Sequence, residues 1–307
     1  MSYRIRNWSE YNKGLKQRGS LTFWITPEVL ANWEVREKTG KPGASCTYTD
    51  QAIVAIVSLK SVFGLPGRAL CGFVESIFQL MQVELSVPDH TTISRRLKSL
   101  EVTLPVQPTN GKRHVVVDST GVKVYGEGEW KTRQHGVSKR RTWRKLHLAV
   151  DEATGEILSE VVTGNDCYDS EVLGELLDEI EDPIEQVDAD GAYDCGYCYD
   201  YIDERGAIAG IPPQRNARIW FHSNRLDARH PRDENLRRIR AIGRAQWKKE
   251  IGYHRRSIAE TTMYRFKQAF GGRVSSRKLK QQTNELKVQC VVLNRMIQVA
   301  KPDSYVC

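Results

Sequence analysis

Three consecutive valines, Val115, Val116 and Val117, run directly into Asp118. A β-branched run without polar alternation needs apolar cover on both faces, as an inner strand between layers of helices has. An acid that ends such a strand sits on rigid, central backbone. Residues 113–126, RHVVVDSTGVKVYG, are therefore expected to form a strand with Asp118 at its end, turning into a second strand.

The pattern continues downstream. Residues 130–136 and 142–164 alternate like strands joined by turns, with the basic loop VSKRR between them. Val172, Leu173, Leu176, Leu177 and Ile180 then recur at helix spacing. Residues 184–194, IEQVDADGAYD, read as a short strand ending in acids, residues 195–206 as a helix, and residues 207–213 as a strand. Three hairpin-like strands, helix, strand, helix, strand and a late helix make an α/β domain with a mixed sheet. That order matches a ribonuclease-H-like layout, with acids at the ends of adjacent strands and on one late helix.

The N-terminal part has a different character. Residues 1 to about 45 are polar, with Trp8, Trp24 and Trp33 as scattered anchors. Thr49 or Asp50 can cap a helix through Ile53, Ile56, Val57 and Lys60, and the chain then turns at Gly64-Leu65-Pro66-Gly67. A second apolar helix runs through Leu70, Phe73, Val74, Ile77, Phe78 and Met81. Asp89 or Thr91 can cap a short third helix that presents Thr92, Arg95, Arg96 and Lys98. Helix, turn and short basic helix is the outline of a helix-turn-helix, and an ordinary bundle with a basic face has the same outline. Proline and glycine between residues 101 and 111 suggest a linker. The expected domains are a helical DNA-binding region over 1–110 and a catalytic α/β domain over 111–300, with a basic insertion at 215–250.

Charge points to a polyanionic partner. The formal net charge is +8 and the isoelectric point near 9.1. Residues 218–256 hold twelve Lys or Arg against four Asp or Glu, a surplus that equals the net charge of the whole chain. Seven cysteines form no regular framework, which suits a reducing cytosol. Cys195 and Cys198 form one CxxC with no second pair at zinc-site spacing. The longest apolar run, around Ala52 to Leu59, is far short of the ~20 residues of a membrane span. A cytoplasmic, nucleoid-associated protein without a membrane partner is expected.

Three acids stand out. Asp118 ends the valine strand, Asp190 ends the next short strand with Gly191 behind it, and Glu260 lies among Arg255, Arg256, Arg265 and Lys267. Asp188 and Asp194 flank Asp190, and by period-two alternation Asp188 would point the same way as Asp190. Residues 252–272, GYHRRSIAETTMYRFKQAFGG, are expected to form one helix closed by Gly271-Gly272. At ~100° per residue, Tyr253, Arg256, Glu260 and Lys267 share one face over about 21 Å of axis. Three hard oxygen donors suit Mg²⁺ or Mn²⁺ rather than zinc. Two such ions could activate a water or a 3′-hydroxyl and stabilise the leaving oxygen of a phosphodiester.

The spacing Tyr253-x2-Arg256-x3-Glu260-x6-Lys267 resembles the signature of DDE transposases from bacterial insertion sequences. VVVDSTG around Asp118 and ADGAYD around Asp190 resemble the other two motifs of the insertion sequence five family. The resemblance runs from about residue 45 to residue 300. It implies a ribonuclease-H-like catalytic domain, Asp118, Asp190 and Glu260 as catalytic metal ligands, and recognition of terminal inverted repeats by the N-terminal region. Tyr253, Arg256 and Lys267 would then hold the DNA backbone. Joining two DNA ends implies at least a homodimer during reaction. A metal-dependent nuclease of the same fold and a non-catalytic DNA-binding regulator are the rival readings.

Other residues carry weaker signals. Lys139, Arg140, Arg141, Arg144 and Lys145 cluster near Asp118 and are expected to touch phosphate, as are Arg95 and Arg96. Trp220 and Trp247 lie in the basic segment, where one could stack on an unpaired base, although core packing is the simpler expectation. His135 and His147 lack partners at metal-ligand spacing and read as structural. Gly126 and Gly128 read as a hairpin turn, not a phosphate cradle.

Overall fold

A computed structural model describes residues 3–36, 46–124, 143–220 and 230–306. The expected turn at Gly126 and Gly128 lies outside them, as do the expected strand over 130–136 with His135 and the loop VSKRR. The chain divides into two compact units, one formed by Met1–Pro105 with Ala269–Cys307 and the other by Val106–Gln268. The sequence suggests one break near residue 110 and a second domain running to 300. In the structure the chain instead returns, because the long helix Leu279–Val299 buries Val288 and Val292 in the core of the first unit.

In the first unit, Thr49 caps the helix Asp50–Phe63 by accepting the Ala52 amide at 3.2 Å, and Gly64 ends it in the left-handed conformation at φ 64°. The helices Gly67–Leu80 and His90–Ser99 follow, the latter capped by Asp89, which accepts the Thr91 and Thr92 amides. The apolar faces of these helices meet Trp24 and Trp33, both fully buried, while Trp8 stays exposed. The helices Trp8–Arg18, Leu21–Trp24 and Pro27–Ala31 form within the first 45 residues. The C-terminal helix is stitched in by polar contacts too. Asn284 donates to the carbonyls of Leu97 and Leu100, and Arg18 to those of Met296 and Ala300. The strand Tyr3–Ile5 (β1) pairs antiparallel with Ser304–Val306. Among the described residues no single helix is long and apolar enough to cross a membrane.

The second unit is built on five strands: Arg113–Val124 (β2), Trp143–Asp151 (β3), Ile157–Thr163 (β4), Ile184–Asp188 (β5) and Ile208–Gly210 (β6). Their order across the sheet is β4-β3-β2-β5-β6. The pairs β4–β3 and β3–β2 are antiparallel, while β2–β5 and β5–β6 are parallel, so the sheet is mixed as the element order suggests. This α/β arrangement is consistent with a ribonuclease-H-like domain. Helices Leu173–Asp178 and Gly196–Glu204 cover one face, where Val115, Val117, Leu173, Leu177, Tyr199 and Ile202 form a core. One expectation fails. Residues 113–124 form a single strand that does not turn after Asp118, because β3 pairs with it continuously from Val115 to Lys123.

Candidate active site

Strand register brings the first two acids together. β2 runs parallel to β5 with Val116 opposite Asp188, where β5 ends. Two residues further along each strand direction lie Asp118 and Asp190, past the carboxyl end of the shorter strand and near enough for their charges to interact. Crevices beyond strand ends are where open α/β sheets place their sites. Asp118 stays in the strand, paired with Leu148 of β3 on its other side. Asp190 has left its strand. It caps the short 3₁₀ turn Gly191–Tyr193 by accepting the Ala192 amide at 2.8 Å. The period-two alternation expected to align Asp188 with Asp190 therefore stops at Asp188.

Burial raises the pKa of Asp118 from its ordinary value, against the opposing pull of the Ser119 amide and the Arg256 guanidinium. The charges of Asp190 and Glu260 push it further the same way. A buried carboxylate that two neighbouring acids make costlier to ionise is a place that a cation would relieve.

Glu260 lies on the helix Ser257–Phe270, which ends at Gly271 and Gly272, both at positive φ, as the sequence suggests. The start differs from expectation. Tyr253–Arg256 is a 3₁₀ turn entered through Gly252 at φ 69°, so the helix does not extend back to residue 252. Arg256 still reaches Glu260 one turn on. Its guanidinium donates to Glu260 Oε1 at 2.5 Å and to Asp118 Oδ2 at 3.2 Å, bridging two of the three acids. The Tyr253 hydroxyl donates to the Ala189 carbonyl at 3.3 Å, next to Asp190. Lys267, two turns beyond Glu260, is exposed. Among the described residues no three His, Cys, Asp or Glu side chains stand close enough to hold an ion as placed. Glu260 is turned onto Arg256, and its side chain is 58% exposed.

The two flanking acids have structural partners. Asp188 is fully buried, bonded to His114 Nε2 at 3.0 Å and to Gln186 Nε2 at 2.7 Å. Asp194 pairs with Arg232 at 2.7 Å and accepts the Gln214 amide. Gln186 also donates to the Ile251 carbonyl at 2.9 Å, tying β5 to the segment that leads into Tyr253 and Arg256. Sequence reading missed this tie, because only the fold brings residues 186 and 251 together. It also missed Asp169, which accepts the Ser119 hydroxyl at 3.0 Å and Lys145 Nζ at 3.0 Å. Lys145, expected to touch phosphate, is held by that carboxylate and the Cys167 carbonyl.

Other candidates fare unevenly. Lys139, Arg140 and Arg141 lie outside the described residues. Arg95 is exposed on the helix His90–Ser99. Arg96 is half-buried, paired with Asp50 and donating to the Tyr48 carbonyl at 2.7 Å, so it fastens two helices together. Trp247 is core, as the simpler expectation has it. Trp220 is partly exposed, but the Arg232 guanidinium lies 3.8 Å from its ring centre and His230 packs edge-on at 5.3 Å. The thiols of Cys195 and Cys198 stand 3.3 Å apart where the helix Gly196–Glu204 begins. His147 is buried on β3 with Nε2 against the Thr163 hydroxyl at 2.9 Å.

Two family models match the chain. Both are described as a transposase DDE domain, one over residues 16–127 and the other over residues 109–295. The longer match takes in Asp118, Asp190 and Glu260.

Proposed function

The chain belongs to the DDE transposase family, and from that premise we propose that Asp118, Asp190 and Glu260 are the catalytic carboxylates of a DNA cut-and-join reaction. The enzyme is a polynucleotidyl transferase acting on DNA. One observation carries the assignment of residues. The parallel register of β2 and β5 sets Asp118 beside Asp190, and Arg256 links Asp118 to Glu260.

The donor set is all hard oxygen, and the repulsion that Asp190 and Glu260 exert on Asp118 fits Mg²⁺ or Mn²⁺. Two ions held by the three carboxylates would activate the attacking water or 3′-hydroxyl and stabilise the leaving oxygen. The protein's own groups do the rest. Asp118 and Asp190 are fixed by strand pairing and by the turn at Gly191, so little reorganisation falls to them. Glu260 joins them once it turns off Arg256. The freed guanidinium, with Tyr253 and Lys267, is then available to a backbone phosphate through charge-assisted hydrogen bonds.

The helices Asp50–Phe63, Gly67–Leu80 and His90–Ser99 are read as a helix-turn-helix-like reader of terminal inverted repeats, with exposed Arg95 and Lys98 toward DNA. Synapsis of two ends then requires at least a dimer. The narrower placement in the insertion sequence five family rests on VVVDSTG and ADGAYD alone.

The test is an assay with Mg²⁺ and a labelled duplex carrying the element's end, run beside Glu260→Gln. The wild type should nick at the 3′ end and join it to a second duplex, while the variant binds without doing either. Binding by both proteins with no cutting, in Mg²⁺ and in Mn²⁺, would favour a regulator. Cutting without joining would favour a nuclease.

A further inference from the structure

Tyr193 closes the 3₁₀ turn that Asp190 opens, its amide donating to the Asp190 carbonyl at 3.2 Å. Residues three apart in such a turn lie on one side of it. The phenol ring is 1% exposed and packs in the core that also holds Val115, Val117 and Val172. Its hydroxyl has no hydrogen-bond partner among the described residues. A buried hydroxyl without a partner loses its hydration and gains nothing in return, so a phenylalanine would suit this core better. Such a group calls for an explanation.

The surroundings supply one. Burial raises the tyrosine pKa well above its usual value, and the nearby charges of Asp169, Asp118 and Asp190 push in the same direction. The hydroxyl therefore keeps its proton, with three carboxylates near enough for their charges to act on it. Asp169 is already occupied by Ser119 and Lys145. Asp118 uses one oxygen for the Ser119 amide and the other for Arg256. Asp190 uses Oδ1 for the Ala192 amide, and its Oδ2 has no hydrogen bond among the described residues. The unpaired donor thus belongs to the same short turn as Asp190 and is close enough to feel the charges of Asp190 and Asp118, two of the three proposed metal ligands.

We propose that Tyr193 is a positioning residue for the Asp118–Asp190 pair, its hydroxyl donating to their carboxylates, or to water between them, when a divalent cation is bound. The proposal rests on the assignment of Asp118 and Asp190 as metal ligands. Outer partners of this kind orient a ligand and tune its basicity, and losing one weakens metal affinity by about 10- to 100-fold.

The full-length protein tests this without DNA. Mn²⁺ binding is followed by electron paramagnetic resonance for the wild type, Tyr193→Phe and Asp118→Asn, and urea unfolding is measured in EDTA and in Mn²⁺. Tyr193→Phe keeps the ring, so the core stays filled. Its urea midpoint in EDTA should equal or exceed that of the wild type, while its Mn²⁺ affinity falls by about tenfold or more. Its stabilisation by Mn²⁺ should shrink in step. If Tyr193→Phe binds Mn²⁺ as tightly as the wild type, and Asp118→Asn does not, Tyr193 is packing and the proposal fails alone. A lower midpoint in EDTA would also overturn it, since the hydroxyl would then have a partner before any metal arrives. If Asp118→Asn binds Mn²⁺ like the wild type, the ligand assignment itself has failed, and Tyr193 with it.

Discussion

Asp118 is a carboxylate whose ionised form the fold disfavours, chiefly by burial and then through Asp190 and Glu260. Its folded pKa lies above the unfolded one, so the folded state binds more protons across that interval, and stability falls as pH rises through it. Asp118→Asn should therefore raise the neutral-pH urea midpoint of the metal-free protein while abolishing strand cleavage, a separation expected where function is held at the expense of stability. His147 has the opposite sign. Burial lowers its pKa to about 4, against the partial opposition of Asp169. The unfolded chain binds the extra proton between about pH 6.5 and 4, so stability present at neutral pH is lost as pH falls through that window. The loss is on the order of 3 kcal/mol by linkage from a shift of this size. Replacing His147 by Gln should flatten that part of the stability–pH curve, read from urea unfolding at pH 7 and 4.5.

Between elements, the consequential contact is Gln186 with Ile251. One side-chain amide spans from β5 to the carbonyl that precedes Gly252, and it also serves buried Asp188. The 3₁₀ turn carrying Tyr253 and Arg256 hangs from that carbonyl. Gln186→Leu should leave the sheet folded but loosen residues 251–256. Amide exchange there should speed up, and strand transfer should fall by up to about 100-fold, the cost of a misplacement of about 1 Å in a reacting geometry. Unchanged exchange at 251–256 would show that Gly252 and the helix alone hold the turn.

For the whole molecule, the consequence comes from how the first unit is assembled. Its core takes Trp24, Trp33, Ile53 and Leu70 from the N-terminal segment and Val288 and Val292 from the C-terminal helix. A chain ending at Gln268 would expose those partners and leave the Leu97 and Leu100 carbonyls without Asn284. Such a truncation should unfold the N-terminal unit although it removes none of its residues before Pro105. Limited proteolysis would show this as rapid cutting within residues 46–105. Survival of that region would mean its core closes without the C-terminal helix.

Much of this was legible in the sequence because it depends on neighbours along the chain. The valine run marks an inner strand, Thr49 and Asp89 are helix caps that the sequence narrows to two neighbouring candidates each, and Gly64 and Gly271 are helix ends. Each follows from a side chain within a few residues of the backbone it serves. The order of strands and helices likewise pointed to a mixed sheet. What only the tertiary structure decided are pairings between distant residues. Val116 opposite Asp188 sets Asp118 beside Asp190, Arg232 occupies Asp194, Asp50 occupies Arg96, and Asp169 occupies Lys145. Sequence lists charges but not their partners, and a charge is available to DNA only if the fold has not already paired it. The same reason hides the hydroxyl of Tyr193, whose unpaired state is a property of everything packed around it.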